Sequence, residues 1–237
     1  MLPVAAVLTD IEGTTTPSSF VRDVLFRYAR DRLPEWLAEH AAEPAVAHEL
    51  AAVRRLAPLA PALDTLLHWI DLDAKITPLK TIQGMIWRDG YAGGELSSEV
   101  YADVAPCLRL WHAAGVRLYA YSPGSAEAQK LVFAHGPAGD LTGLFSGFFD
   151  TRVGNKREPD TYSRLAIAMD LPPSEVVFLS DGEEELDAAA AAGLRTCQLV
   201  RAADRTPPTD RHAIAPDFFA VARVMALPAP AAMVTGQ

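Results

Sequence analysis

The sequence predicts an α/β fold: a Rossmann-like core on a parallel β-sheet, with an all-helical cap inserted after the first strand. Residues 4–9 are apolar without alternation, which is typical of a strand buried on both faces of a parallel sheet. From residue 16 to about residue 98 the apolar residues follow helical spacing, and no strand candidate occurs. Strand and helix patterns then alternate, which favours βαβ units.

The individual elements follow from the same patterns. In the inserted segment, helical patterns cover residues 18–40, 45–57, 60–73 and 77–91. After it, strands are predicted at residues 116–122, 143–150, 175–181 and, as the last strand, 195–200. The intervening helices are predicted at residues 125–135, 159–170 and 183–193. We expect Ser18 or Ser19 to cap the first helix and Gly193 to end the last one.

These elements predict three parts of the chain. We expect residues 1–15 and 100–225 to form a discontinuous α/β catalytic core, and residues 16–99 to form the helical cap. Residues 226–237 are rich in proline and alanine and lack periodicity, so we expect a disordered tail there.

The composition excludes several classes of protein. The 237 residues carry a formal charge of −9, which argues against nucleic acid or an anionic membrane as a partner. No apolar run approaches the roughly 20 residues that span a bilayer, and the N-terminus lacks the pattern of a signal peptide. Cys107 and Cys197 have no metal-type spacing and are expected to be buried, reduced thiols. We therefore expect a cytoplasmic protein, and a monomer.

Polar side chains mark the ends of three predicted strands. Asp10, Ser122 and Asp181 each stand at the carboxyl end of a strand, where open parallel sheets bind their ligands. Lys156 lies in a loop between the last two, just before a helix. Taken singly, these residues have ordinary roles as turn formers, helix caps or a solvated lysine. Their combination at one edge of the sheet indicates a functional site.

The chemistry of this set fits phosphoryl transfer. The Asp10 carboxylate can attack phosphorus and form an aspartyl-phosphate. Asp10 and Asp181 can hold a Mg²⁺ ion, which cancels the repulsion between the nucleophile and the phosphate. Ser122 can hydrogen-bond a phosphoryl oxygen, and Lys156 adds positive charge. Glu12, two residues after Asp10, can reach the leaving-group oxygen as a general acid.

Short stretches around these residues resemble the motifs of the haloacid dehalogenase-like superfamily of phosphatases. They are DIEGTTT, YSPGS, the lysine at position 156 and SDGEEELD. Within that superfamily, the chain is most similar to the acireductone synthases, the bifunctional enolase-phosphatases of methionine salvage. The similarity covers residues 7–197 and includes LKTIQGMIWRDGYAGGEL, which lies outside the general superfamily motifs.

This resemblance implies a reaction and a set of site residues. The family enolises 2,3-diketo-5-methylthiopentyl-1-phosphate and then removes its phosphate, which gives a dihydroxy-keto-methylthiopentene, the acireductone. It implies one Mg²⁺ per chain, no redox cofactor and a small phosphorylated diketone as the binding partner. By motif match, the catalytic residues are Asp10 and Glu12, the metal residues are Asp10, Glu12 and Asp181, and the substrate-binding residues are Ser122, Pro123 and Lys156.

Some expectations concern single positions. The second acidic residue of the motif, here Glu12, usually gives the metal its backbone carbonyl, and Glu185 would orient the metal shell. Pro123 stands where the family usually has serine, and it offers neither an N–H nor a hydroxyl. Gly182 replaces a larger residue and is expected to loosen its turn. The base of the enolisation is not visible, and we hypothesise that the Glu12 side chain serves.

Other interpretations stay open from sequence alone. Trp87 and Arg88 either line the substrate site or are ordinary cap core and solvated surface. The chain could be a plain phosphatase of the same superfamily, in which no enol forms before phosphate leaves. It could also be a non-catalytic phosphometabolite-binding protein, although the intact Asp10, Lys156 and Asp181 argue against that. The lack of a GxxxxGK[ST] motif excludes a P-loop nucleotide enzyme.

Overall fold

The computed structural model describes residues 3–229 and confirms the predicted α/β fold. Within these residues, six parallel strands form one sheet in the order β3-β2-β1-β4-β5-β6. The strands are β1 Ala6–Thr9, β2 Arg117–Tyr121, β3 Phe145–Phe149, β4 Val176–Ser180, β5 Arg195–Leu199 and β6 Ala213–Ala215. β1 is buried along its whole length, as its unbroken apolar run predicts.

The register of the central strands aligns their carboxyl ends. Thr9 at the end of β1 pairs with Ala120 of β2 on one side and with Leu179 of β4 on the other. The chain moves outward from β1 through β2 to β3, and then returns to the other side of β1 for β4. Such a reversal of strand order opens the crevice in which α/β proteins bind their ligands.

The first part of the connection between β1 and β2 is helical, as predicted. A π-helical segment, Phe20–Phe26, runs directly into α1, Arg27–His40, and is followed by α2 Pro44–Leu56, α3 Ala62–Asp71 and α4 Thr77–Ala92. The apolar faces of these helices form one cluster, in which Leu33, Leu66 and Ile82 are almost inaccessible to solvent. We call this helical segment the cap.

The start of the first cap helix differs from the prediction. Ser19 has helical dihedral angles and its side chain makes no capping hydrogen bond, so the predicted serine cap is wrong. The backbone N–H of Ser18 donates instead to the Asp204 carboxylate, at 2.8 Å. A side chain from the loop after β5 thus satisfies a backbone group that local capping would otherwise serve.

Five further helices follow within the described residues. They are α5 Val104–Ala113, α6 Ala126–Ala134, α7 Pro159–Met169, α8 Glu183–Ala191 and α9 Phe218–Val224, with 3₁₀ turns at Thr142–Leu144 and Pro173–Glu175. Successive residues of β1 point to opposite faces of the sheet. Val7 packs in the cluster of α5 and α9, whereas Leu8 packs in that of α7 and α8. Helix α6 packs with the cap helices in the cap cluster.

The C-terminal part of the core corrects one prediction. Residues 195–200 do not hold the last strand, because β6 adds a three-residue edge strand beyond β5. Of the predicted tail, Leu227 is buried and the Pro228 carbonyl accepts a hydrogen bond from the Trp111 indole. Residues 230–237 lie outside the described residues, so disorder there stays a prediction.

Two other sequence observations have structural counterparts. Cys107 and Cys197 are buried free thiols, as the sequence predicts. In the described part of the chain, each helix is too short or too polar to span a membrane.

Candidate active site

A compact turn after β1 presents the first carboxylate. The backbone N–H of Asp10 donates to the Leu179 carbonyl at 2.8 Å, which extends the pairing of β1 with β4 by one residue. The N–H groups of residues 14–16 all donate to the Ile11 carbonyl, so the chain folds back at once. Gly13 adopts φ +74° in this turn, a conformation that side chains disfavour. The turn therefore fixes the Asp10 carboxylate at the mouth of the crevice.

Asp181, at the end of β4, lies against the same turn. A Cβ atom on Gly13 would stand 2.6 Å from Oδ2 of Asp181, which is closer than van der Waals contact allows. The backbone carbonyl of Asp181 accepts a hydrogen bond from the Gln198 amide at 2.9 Å, which fixes the end of β4 against β5. The structure thus brings together the two carboxylates that the sequence predicts at the ends of β1 and β4.

Lys156 joins these carboxylates from the loop before α7. Its Nζ lies 2.5 Å from Oδ1 of Asp10 and 2.9 Å from Oε2 of Glu185, and its side chain is almost fully buried. Glu185 also accepts a hydrogen bond from the Ser180 hydroxyl at 2.9 Å. The Tyr162 hydroxyl donates to the Lys156 carbonyl at 2.8 Å, which holds the loop in place. Glu185 therefore orients the lysine.

The charges of this cluster are unbalanced. Three carboxyl groups, those of the buried Asp10 and the partly buried Asp181 and Glu185, stand beside one ammonium group, so two negative charges are in excess when all three are ionised. Burial raises the pKa of Asp10, with contributions from Glu185 and Asp181, against the opposing effect of Lys156. Burial and the Glu185 charge likewise raise the pKa of Asp181. Burial alone would lower the pKa of Lys156, but Asp10 and Glu185 raise it overall.

An excess of two negative charges fits a divalent cation. Within residues 3–229, no three carboxylate, imidazole or thiol side chains form a ready-made metal cage. Mg²⁺ does not require one, because it usually keeps several waters and takes one or two carboxylates plus the substrate phosphate. Asp10 and Asp181 are the two carboxylates at this edge of the sheet that such an ion could use.

The loop after β2 forms the opposite wall. Gln129 of α6 is buried, and its amide donates to the carbonyls of Ser122 at 3.4 Å, Gly124 at 2.9 Å and Phe149 at 2.7 Å. The Ser122 hydroxyl accepts a hydrogen bond from the backbone N–H of Gly124 at 3.3 Å, so its own proton remains available to another acceptor. Pro123 contributes its carbonyl oxygen, which accepts a hydrogen bond from Lys80 at 2.9 Å.

A cavity of about 100 Å³ lies between this loop and the cap. Its cap side is largely apolar and includes Leu25, Phe26, Trp69, Leu79 and Trp87. Its core side includes Glu12, Ser122 and Pro123.

Trp87 and Arg88 of the cap differ in exposure, and Glu12 of the core lies between solvent and the cavity. The Trp87 indole stacks on Phe26 and donates to the Leu25 carbonyl at 2.7 Å, so Trp87 both lines the cavity and packs in the cap. Arg88 is exposed and pairs with Asp89, as the solvated alternative predicts. The Glu12 side chain reaches solvent as well as the cavity. Loss of water around its carboxyl group nevertheless raises the pKa of Glu12.

The structure adds three residues that the sequence did not single out. Gln129 braces the Ser122 loop, Lys80 reaches that loop from the cap, and Arg201 donates to the Thr14 carbonyl at 2.8 Å beneath the first turn. Gln129 stands four residues after Ser125, whose side chain caps α6. An uncharged polar residue on the apolar face of a helix is the sequence signal that could have identified Gln129. No local sequence pattern identifies Lys80 or Arg201, because the Pro123 and Thr14 carbonyls that they bind are more than forty positions away.

Comparison with known proteins places this geometry in a family. The chain matches the model of the haloacid dehalogenase-like hydrolases over residues 4–193. It is 56% identical over 231 residues to enolase-phosphatase E1 of Granulibacter bethesdensis, which covers 97% of this chain and 100% of that protein. It is 52% identical over 225 residues to enolase-phosphatase E1 of Acidiphilium cryptum, which covers 95% of this chain and 97% of that protein.

A solved structure shares this fold. The crystal structure of the UTR4 protein of Saccharomyces cerevisiae superposes with a TM-score of 0.77 at 30% sequence identity. The superposition covers 91% of this chain and 98% of that chain.

Proposed function

The chain belongs to the haloacid dehalogenase-like hydrolases and, within them, to the enolase-phosphatases, and from that premise we propose its substrate and its mechanism. The substrate is 2,3-diketo-5-methylthiopentyl-1-phosphate, and the product is the acireductone of methionine salvage. The reaction takes place in the cytoplasm, on a monomeric enzyme with a small phosphorylated diketone as its binding partner. The observation that carries the proposal is the buried contact between Asp10 and Lys156 at the carboxyl end of β1.

Asp10 acts as the nucleophile. Its Oδ1 is occupied by the Lys156 ammonium at 2.5 Å and by the Ile11 N–H at 2.7 Å. These contacts hold the carboxylate in one orientation and leave Oδ2 as the attacking atom. Attack on phosphorus forms an aspartyl-phosphate and expels the enol oxygen, and water then releases phosphate from Asp10.

The other site residues position the substrate and move protons. The Ser122 hydroxyl donates to a phosphoryl oxygen, and Lys156 compensates the charge of the phosphoryl group. Glu12 lines the cavity beside Ser122, where its carboxyl group removes the proton in the enolisation and returns a proton to the leaving oxygen. Asp10, Asp181 and the Glu12 carbonyl hold Mg²⁺, which when bound neutralises charge on the phosphoryl group.

The cavity accommodates the rest of the substrate. Its apolar cap wall, with Trp69, Leu79 and Trp87, matches a methylthioethyl chain. Because the wall belongs to the cap and the phosphoryl site belongs to the core, substrate binding links the two parts. Exclusion of water by the cap also protects a reactive enol.

A stopped-flow experiment tests this proposal. The protein, Mg²⁺ and the diketo-phosphate are mixed while enol absorbance and free phosphate are recorded together, for the wild type, Asp10→Asn and Asp64→Asn. Asp64 is an exposed residue of α3 and serves as a matched control. We expect an enol signal that rises and then decays into phosphate, with release blocked only in Asp10→Asn. Release of phosphate without an enol phase would instead support a plain phosphatase.

The covalent step has its own test. Acid quenching during turnover, followed by mass analysis of the peptide that contains Asp10, should show the added mass of one phosphoryl group. Phosphoryl transfer to another residue, or to none while turnover proceeds, would contradict the role of Asp10.

A further inference from the structure

Lys80 brings an ammonium group from the cap to the candidate site. It stands in the second turn of α4, is half-buried, and donates from Nζ to the Pro123 carbonyl at 2.9 Å. Pro123 directly follows Ser122, the residue assigned to the phosphoryl group. Lys80 lines the apolar cavity, and it also lines a second cleft of about 590 Å³ between α4 and α6. Its charge therefore lies where the substrate passes from the core to the cap.

The Lys80 ammonium has no carboxylate partner among residues 3–229. The acidic groups closest to it are already paired, since Asp73 binds Lys75 at 2.6 Å and Asp150 binds Arg152 at 2.7 Å. Burial and the neighbouring Lys75 lower the pKa of Lys80. An ammonium group has three N–H donors, and the Pro123 carbonyl takes one of them. The two remaining donors are therefore available to a ligand or to water.

Enolisation creates a demand for such a group. When a proton leaves the phosphate-bearing carbon, negative charge develops on the oxygen of the adjacent carbonyl. A donor aimed at that oxygen lowers the barrier most when it is fixed in place and shielded from water. The carbonyl is one carbon away from the phosphate-bearing carbon, and Lys80 binds the residue next to Ser122. The two groups thus lie in the same part of the site.

We propose that Lys80 is a further catalytic residue, which binds the substrate carbonyl and stabilises the enolate. In this step the base takes the proton, the C–H electron pair becomes the C=C bond, and the carbonyl π pair moves to oxygen. The oxygen then takes a proton from the Lys80 ammonium, and the amine regains a proton from solvent. The base keeps its own proton for the leaving oxygen in the next step, so protons and electron pairs balance. This role rests on the proposed diketone substrate. It also gives Pro123 a function, because its carbonyl orients Lys80.

Replacement and chemical rescue of Lys80 test the role. Lys80→Met should slow enol formation by about 10²–10³-fold, the usual cost of removing one oxyanion donor. Lys80→Cys should show the same loss, and alkylation of its thiol with 2-bromoethylamine, which restores an amine at similar length, should recover at least a tenth of the rate. Burial raises the pKa of Cys107 and of Cys197 to about 12, so the reagent should spare the native thiols. Lys130→Met serves as the control, since Lys130 is an exposed lysine of α6.

Binding of inorganic phosphate separates catalysis from a merely structural latch. If Lys80 acts on the carbonyl, Lys80→Met should bind phosphate within threefold of the wild type by calorimetry. Equal losses in phosphate affinity and enol formation would overturn the proposal and show that Lys80 only positions the loop. Enol formation within threefold of the wild type would also overturn it. If the wild type releases phosphate without an enol, the proposed function itself fails, and this inference fails with it.

Discussion

Nζ of Lys156 lies 2.5 Å from Oδ1 of Asp10, and both side chains are more than nine-tenths buried. Glu185 and Asp181 add two further, partly buried carboxylates, so the one ammonium compensates only part of the negative charge of the cluster. The cluster is therefore electrostatically strained when no cation is bound. Substitutions in this cluster should separate stability from activity.

Asp10→Asn should abolish phosphate release while making the metal-free protein more stable. Loss of the nucleophile should lower the rate of phosphate release by about 10⁴-fold or more. Removal of one buried charge from a repelling group should raise the free energy of unfolding by about 1–2 kcal/mol. Urea denaturation in the presence of a chelator measures the free energy of unfolding. A less stable Asp10→Asn protein would show that the Lys156 pairing outweighs the repulsion.

Lys156→Met should have the opposite effect on stability. It leaves the buried Asp10 and the partly buried Glu185 without a compensating charge, so we expect the free energy of unfolding to fall by about 3–5 kcal/mol. Lys130→Met is the control, because Lys130 is exposed and its ammonium lies 5.8 Å from the Phe148 ring centroid. This substitution should lower the free energy of unfolding by less than about 0.5 kcal/mol. Similar losses in both variants would contradict the charge argument.

The sequence predicted those parts of the fold and site that depend on local pattern and strand order. β1 and β4 are apolar runs, and the parallel register brings Asp10 and Asp181 together at one edge. β6 was missed because three residues at the edge of a sheet carry too little pattern. Helix α5 was missed although Val104, Leu108 and Trp111 have helical spacing.

Other features depend on tertiary contacts that no local pattern encodes. The contact of Lys80 with Pro123 joins residues 43 positions apart and depends on how α4 packs against α6. At the start of the first helix, the Ser18 backbone N–H donates to Asp204, which is 186 positions away along the chain. Local propensity favours serine at this position, but the predicted serine cap is wrong because a distant carboxylate takes that role.

Mg²⁺ should stabilise the protein through the same carboxylates. At a concentration 100 times its Kd, the ion should raise the free energy of unfolding by about 2.7 kcal/mol, since it binds the folded state only. Asp181→Asn should remove most of this gain, and Asp64→Asn should retain it. Thermal unfolding across a Mg²⁺ titration measures the effect without substrate. Full stabilisation in Asp181→Asn would show that Asp181 does not bind the ion.

Gly13→Ala should damage the site through a close contact. The new Cβ would stand 2.6 Å from Oδ2 of Asp181, and the residue would also keep φ +74°. We expect Mg²⁺ affinity and phosphate release to fall by about 10-fold or more, because ligand geometry must hold within about 0.5 Å. Gly115→Ala is a matched control, with φ +84° and open space around it. It should lose about 1 kcal/mol of stability and keep its activity.

Asp204→Ala should loosen both connections of the cap to the core. The Asp204 carboxylate accepts hydrogen bonds from the Ser18 backbone, where the chain enters the cap, and from the Tyr101 hydroxyl, where it has left the cap. Hydrogen bonds to a charged group contribute about 1.5–3 kcal/mol each, so loss of both should lower the free energy of unfolding by about 3–6 kcal/mol. Hydrogen exchange should accelerate at residues 16–20 and 98–103 before the sheet is affected. Asp210→Ala, in the same loop but exposed, should change neither quantity. Faster exchange throughout β1 and β4 as well would show that Asp204 stabilises the whole core rather than the attachment of the cap.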